Sequence, residues 1–253
     1  MQAVAPASRP AVERQFDFSD ADFTRVRAMI YRRAGISLGE HKREMVYSRL
    51  ARRLRVLGRT GFADYLAELE ASVDSPEWEA FINALTTNLT AFFREPHHFP
   101  ILADYARQLN RPLAVWCAAA STGEEPYSIA ITLLEALGPR VGDSHVLATD
   151  IDTQVLARGR AGVYPYERVA KLDPERLRRF FLKGRGAQQG MVRIKPEVAE
   201  RVTFQPLNLL DERWPLSSPF DVIFCRNVMI YFDKPTQGRI LERMAPLLRP
   251  GGL

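Results

Sequence analysis

The chain has 253 residues, 46% of them hydrophobic, and a formal net charge of +5, so folding can bury about 70 to 75% of its unfolded surface in one large domain or two modest ones. No run approaches the ~18 apolar residues of a membrane span, and the polar leader MQAVAPASRPAVERQ lacks the continuous apolar segment of a signal peptide. The expectation is a cytoplasmic globular protein whose two cysteines, Cys117 and Cys225, are reduced core thiols and form neither a disulfide nor a metal pair.

Positions 16–87 read as several short helices, Ser19 to Ala34, Lys42 to Leu57, Gly61 to Leu69 and Ser75 to Leu85, with Gly35 and Gly58 as turn signals. In the second of these, Met45, Val46, Leu50, Leu54 and Leu57 recur at helical spacing, so one stripe packs inward while Arg49, Arg52, Arg53 and Arg59 project. This arginine face reads either as a solvated surface or as a dock for an acidic partner, nucleic acid or an acidic protein helix. Further on, His97 and His98 are adjacent; on a helix they point to different sides and make a poor metal pair, and no metal site is expected.

From Leu113 strand and helix alternate, which predicts a parallel sheet flanked by helices. The expected strands are Leu113 to Ala118, His145 to Thr149, Val202 to Gln205 and Asp221 to Cys225. Residues 162–201 do not fit one crossover helix. Gly184, Gly186 and Gly190 precede the alternating Met191-Val192-Arg193-Ile194-Lys195, which suggests a small antiparallel excursion.

The loop AAASTGEEPYSIA, 118–130, stands where a nucleotide-binding fold would hold a phosphate, yet it has only Gly123 of the G-x-G-x-x-G pattern. Glu124 and Glu125 would repel a phosphate. Helix capping by Ser121 and Thr122, each with a glutamate three residues on, accounts for one acid but hardly both. A nucleoside-like cation accounts for the pair, and S-adenosylmethionine is such a ligand. Asp150, in VLATDID about 25 residues after the glycine, stands where an acid accepts both ribose hydroxyls. Asp152 is the alternative for that role, or else caps the next helix.

Together TTNLTAFFREPHHFP (86–100), AAASTGEEPYSIA (118–130), ATDIDT (148–153) and FCRNVMIYFDK (224–234) resemble the CheR family of chemotaxis receptor methyltransferases. The resemblance implies an α/β protein with a doubly wound, Rossmann-like methyltransferase sheet over 88–253, a small all-helical amino-terminal domain over 16–87 and a small antiparallel β insert at 162–201. It implies methyl transfer from S-adenosylmethionine to glutamate side chains of chemoreceptors, giving methyl esters. By motif, cofactor contacts fall on Asn88, Thr90, Arg94, Glu125, Asp150, Asn208, Leu209, Arg226 and Asn227, and the transfer site on Arg94, which steers the substrate carboxylate, and Tyr231, which orients it. The helical region of a chemoreceptor would dock on Arg49, Arg52, Arg53, Arg55 and Arg59, and the insert would add an edge strand from a receptor tail. A monomer is expected, with no nucleic-acid partner and no membrane insertion.

The chain stops at Leu253, where the family would begin its fifth strand, so the expectation is a sheet lacking one edge and an exposed fourth strand. Two rival readings are a nucleic-acid methyltransferase, using the basic helix for phosphates, and a non-catalytic adaptor of the same fold.

Overall fold

Local chemistry explains where the first helix starts and stops. The Ser19 side chain accepts from the Asp22 N–H and the Asp22 carboxylate accepts from the Ser19 N–H, opening α1 (Asp20–Ala34); Gly35 at φ 66° closes it. The computed structural model describes residues 15–216 and 219–253, so all of the polar leader except Gln15 lies outside the described residues. Helices α2 (Arg43–Leu57), α3 (Phe62–Ala71) and α4 (Glu77–Leu85) follow, close to the four expected, and bury one core that includes Phe23, Met29, Leu50, Phe62 and Phe81. Of the α2 stripe, Val46, Leu50 and Leu54 are buried, whereas Leu57, in the last position before Gly58, is 37% exposed.

The arginine face of α2 is smaller than its sequence suggests. Arg49 donates to Ala84 O at 3.3 Å and to Thr86 O, and Arg53 forms a fork with the Glu77 carboxylate, with Nε to Oε1 at 2.6 Å. Both therefore brace α2 against α4 instead of projecting, while Arg52, Arg55 and Arg59 remain exposed. Arg59 also reaches Glu68 at 2.5 Å.

Helix α5 (His98–Leu109) is preceded by its cap, His97. Because His97 sits outside the helix, the two imidazoles do not diverge as expected; their centroids are 4.0 Å apart. The chain then alternates through β1 (Ala114–Cys117), α6 (Glu124–Leu137), β2 (His145–Asp150), α7 (Thr153–Ala161), β3 (Val163–Pro165), α8 (Pro174–Phe180), β4 (Phe181–Lys183), β5 (Met191–Ile194), α9 (Pro196–Ala199), β6 (Val202–Pro206), β7 (Val222–Phe224) and α10 (Lys234–Met244).

Four of these strands form a parallel sheet in the order β6-β2-β1-β7. Successive side chains of β1 face opposite ways: Val115 and Cys117 join one core with Ile129 and Leu133 of α6, and Trp116 joins the other with Phe220 and with Ile240 of α10. The strand order reverses at β1, and in such doubly wound sheets the crevice beyond the strand carboxyl ends at that point is where ligands bind.

The excursion at 163–194 is an antiparallel sheet in the order β3-β5-β4. A side chain at Gly184 would lie 2.0 Å from Gln188 O, so this turn admits only glycine. The fourth main strand is less exposed than expected. Residues 247–253 run beside it, with Ile223 N–H donating to Leu253 O at 2.9 Å and Arg249 N–H to Phe220 O at 2.8 Å.

Candidate functional site

Helix α6 points its amino terminus at this crevice, and the turn before it is unusual. Its cap is Gly123 at φ 96°, with no side-chain cap bond, so neither Ser121 nor Thr122 caps the helix as the capping reading has it. The Ser121 N–H instead donates to Asp150 Oδ2 at 2.8 Å, and its hydroxyl to Asn88 O at 3.2 Å. Gly123 is required twice over: its φ favours glycine, and a Cβ there would sit 2.8 Å from the Tyr164 hydroxyl.

The two glutamates diverge. Glu125 turns to the carboxyl end of the sheet, where Arg226 Nη1 donates to its Oε2 at 2.7 Å and the Cys117 thiol lies 3.4 Å from its Oε1. Burial outweighs Arg226 and pushes the Glu125 carboxyl up from its ordinary value, and burial likewise raises the Cys117 thiol. Glu124 is fully buried on the other side of the turn, ion-paired to Arg168 of the antiparallel insert.

All ten sequence-selected cofactor and transfer-site residues line one cavity of about 330 Å³. Asp150 ends β2 there, also accepting from the Asp152 N–H at 3.0 Å, and burial raises its carboxyl. Asp152 is the helix cap that its alternative reading describes, accepting from Gln154 and Val155 N–H, and it is absent from the cavity wall. The Asn88 side chain donates to Asp152 Oδ2 at 2.8 Å, so this amide braces the loop from behind. Asn208 bridges to the helical part, donating to Arg33 O at 2.8 Å. Leu209 is buried beside it and Thr90 is buried in the strap before Arg94.

Arg94 donates to Leu89 O at 2.7 Å, and its side chain is one-third exposed at the cavity wall. Tyr231 closes a single 3-10 turn, Met229–Tyr231, and its carbonyl accepts from the Ser37 N–H at 2.8 Å. By contrast, none of Arg49, Arg52, Arg53, Arg55 and Arg59 lines this cavity.

Sequence reasoning missed several participants. Glu95 accepts from Arg226 Nη2 at 3.0 Å and from Asn227 Nδ2 at 2.9 Å, and these two hydrogen bonds hold its carboxyl down at about 2. Phe93, Glu95 and Asn227 all have positive φ, at 53°, 54° and 58°, a concentration of strained backbone of the kind found at functional sites. Leu38, His41, Lys42 and Met45 of the helical part complete the wall. Of these, Phe93 and Glu95 flank Arg94 in a quoted motif and Met45 belongs to the apolar stripe of α2, but none of the three was assigned to the site.

A pocket of this size, with a carboxylate at the β2 terminus and a carboxylate at the α6 terminus, suits a nucleoside carrying a positive charge better than a phosphate. Comparison with known proteins agrees. Residues 21–86 match the family described as CheR methyltransferase, all-alpha domain, and residues 88–253 match CheR methyltransferase, SAM binding domain. A chemotaxis protein methyltransferase of Klebsiella aerogenes is 64% identical over 235 residues, covering 93% of this chain and 81% of the relative. The chemotaxis protein methyltransferase of Escherichia coli K12 is 57% identical, covering 93% and 82%. Chemotaxis protein methyltransferase 2 of Pseudomonas aeruginosa is 53% identical over 254 residues, covering 98% and 90%. In both its helical amino-terminal part and its α/β part, the chain belongs to the CheR family of S-adenosylmethionine-dependent methyltransferases.

Proposed function

We propose that this protein transfers the methyl group of S-adenosylmethionine to glutamate side-chain carboxylates of chemoreceptors in the cytoplasm, giving glutamyl methyl esters. The observation that carries the reading is the convergence of Glu125, Asp150, Arg94, Arg226, Asn227 and Tyr231 on one cavity at the carboxyl ends of the strands. In this reading Asp150 accepts the ribose hydroxyls and Glu125, with Arg226 and Asn227, surrounds the charged methionine portion. Asn208 and Leu209 flank the adenine, and Asn88 and Thr90 shape the strap that covers it. S-adenosylmethionine supplies a methyl group already activated as a sulfonium.

The chain's own task is therefore mainly placement. A carboxylate is ionised and nucleophilic at neutral pH, so no strong general base is required. Arg94 steers the acceptor carboxylate toward the methyl carbon and Tyr231 orients it by a hydrogen bond. Holding the reacting atoms in line supplies about 7 to 11 kcal/mol. Arg52, Arg55 and Arg59 are the exposed members of the basic face and offer long-range attraction to an acidic receptor helix. The edge strand β4, where Leu182 is 47% exposed, offers backbone groups to a receptor tail.

Calorimetric titration of S-adenosylhomocysteine into the chain and into Asp150→Ala tests the pocket, and methyl-ester formation on a receptor cytoplasmic fragment tests the acceptor. Binding that is lost in the variant, with base-labile methyl label on the receptor, is the expected result. A folded chain that binds nothing, or label in nucleic acid instead, would overturn the reading.

A further inference from the structure

Glu124 takes no part in the proposed chemistry and does not line the cavity, yet its side chain is only 1% exposed. A buried carboxylate is tolerated only when it is paired and hydrogen-bonded. Two groups pair it. The Thr122 hydroxyl donates to Oε2 at 2.6 Å, and Arg168 contacts Oε1, its Nε at 3.2 Å. The cation comes from another structural unit, since Arg168 stands in a 3-10 turn, Tyr166–Arg168, directly after β3 of the antiparallel insert.

The same guanidinium has a second attachment. Its Nη2 donates to Thr90 O at 3.0 Å, so one side chain joins the strap 88–95 to the start of α6. Tyr164, in β3 itself, adds a parallel tie by donating to Thr122 O at 2.7 Å. Between them these two residues grip Thr90, Thr122 and Glu124. The strap and the Gly123 turn thus get their spacing from the insert.

We propose that Arg168 is a positioning residue for the S-adenosylmethionine pocket, holding the Thr90 strap against the Gly123 turn through the buried Glu124 carboxylate. The inference rests on the pocket reading above. Without Arg168, a carboxylate with no cation lies under that turn, and the turn must open to hydrate it. Opening moves Ser121, whose N–H orients Asp150, and Glu125, the next residue of the helix. Affinity for the nucleoside then falls although no residue touching it has changed. Glutamine at position 124 removes the charge while keeping an acceptor for Thr122, so the turn has no reason to open.

The experiment is S-adenosylhomocysteine calorimetry on the full chain, on Arg168→Ala and on the double variant Arg168→Ala, Glu124→Gln, with Asp150→Ala as reference and thermal melts of each. The expected result is binding by the unaltered chain, about a tenfold or larger loss of affinity in Arg168→Ala, and partial recovery in the double variant, where the buried charge is gone but the Thr90 strap still lacks its tie. A simple loss of packing would not be repaired by a second substitution, so the rescue separates positioning from general damage. If the unaltered chain binds and Asp150→Ala does not, while Arg168→Ala binds normally or the double variant stays as weak as the single one, this inference fails alone. If the unaltered folded chain does not bind, the pocket reading fails and takes this inference with it.

Discussion

Arg226 donates to Glu125 across 101 residues of sequence at 2.7 Å, with the two side chains only 11% and 10% exposed. The pair joins the loop after β7 to the first turn of α6, and Arg226 continues to Glu95 and to Arg94 O. Removing one partner of such a buried pair leaves an uncompensated charge, which costs about 3 to 5 kcal/mol. Arg226→Ala is expected to lower the unfolding free energy by about that amount in urea titrations, and adding Glu125→Gln to return a substantial part of it. A single variant as stable as the unaltered chain would contradict this account.

Glu95 is the residue whose importance is least visible in the sequence. Its carboxylate orders Arg226 and Asn227 together, from a strained backbone. Glu95→Gln keeps the shape and one acceptor but loses the charge, and small misplacements at a transfer site cost up to about a hundredfold in rate. The expectation is a fall of about tenfold or more in kcat/KM and a modestly lower melting temperature near neutral pH, a difference that closes as the pH falls. Its folded pKa is depressed, so the stabilisation is fully present above the ordinary glutamate value of about 4.3. It is lost as the pH falls toward about 2. Melts across that window should show the acid-side loss in the unaltered chain and a shallower one in the variant.

The pH dependence of cofactor affinity should have the opposite origin. Burial raises the Asp150 and Glu125 carboxyls, so on acidification each takes up a proton above the usual carboxylate range. The ionised forms are those that accept ribose hydroxyls and offset a sulfonium, so S-adenosylmethionine affinity should decline as the pH falls through these raised values. Isothermal titrations between pH 7.5 and 4.5 measure it, and Asp150→Asn should remove part of the slope.

The basic helix calls for a narrower mutant set than its sequence suggests. Arg53→Glu would set a glutamate against Glu77 and Tyr65 and unsettle the helical core, so loss of activity there would say nothing about docking. Reversing Arg52, Arg55 and Arg59 together leaves that fork intact. Receptor methylation at low ionic strength should drop by about tenfold or more, the difference should shrink in high salt, and S-adenosylhomocysteine affinity should not change.

These outcomes mark what could be read from the chain and what could not. The helices around Leu50 and Phe81 and the strands around Val115 and Val146 announce themselves because periodic burial is a local property of sequence. Eight of the ten selected cavity residues lie in four contiguous motifs; Asn208 and Leu209 lie outside them and came only from the family resemblance. The Arg168–Glu124 and Glu95–Arg226 pairs were not readable, since each joins segments 44 or 131 residues apart and no local pattern encodes the partner. The capping reading of Ser121 and Thr122 failed for a related reason: Ser121, itself at φ 48°, gives its N–H to Asp150 and its hydroxyl to Asn88 O, partners 29 and 33 positions away, and Gly123 stands at the cap. Arg49 and Arg53 look like surface charge until α4 brings Glu77 and the Thr86 carbonyl to them.

The cavity takes walls from two hydrophobic cores, and polar links join them at two places: Ser37 N–H to Tyr231 O, Asn208 to Arg33 O and the Tyr31 hydroxyl to Asp233 at 2.6 Å, and, from α4, the Thr86 hydroxyl to Asp152 at 2.7 Å, Asn83 to Thr153 at 3.2 Å and the Thr153 hydroxyl to Glu79. A nucleoside seated between the cores is therefore a fastener as well as a reactant. At a hundredfold excess over Kd, ligand adds about 2.7 kcal/mol, and it adds this only while both walls stand. Without ligand, calorimetry should resolve the helical core and the sheet as two overlapping heat-absorption peaks; with S-adenosylhomocysteine present, they should merge into one sharper peak at higher temperature.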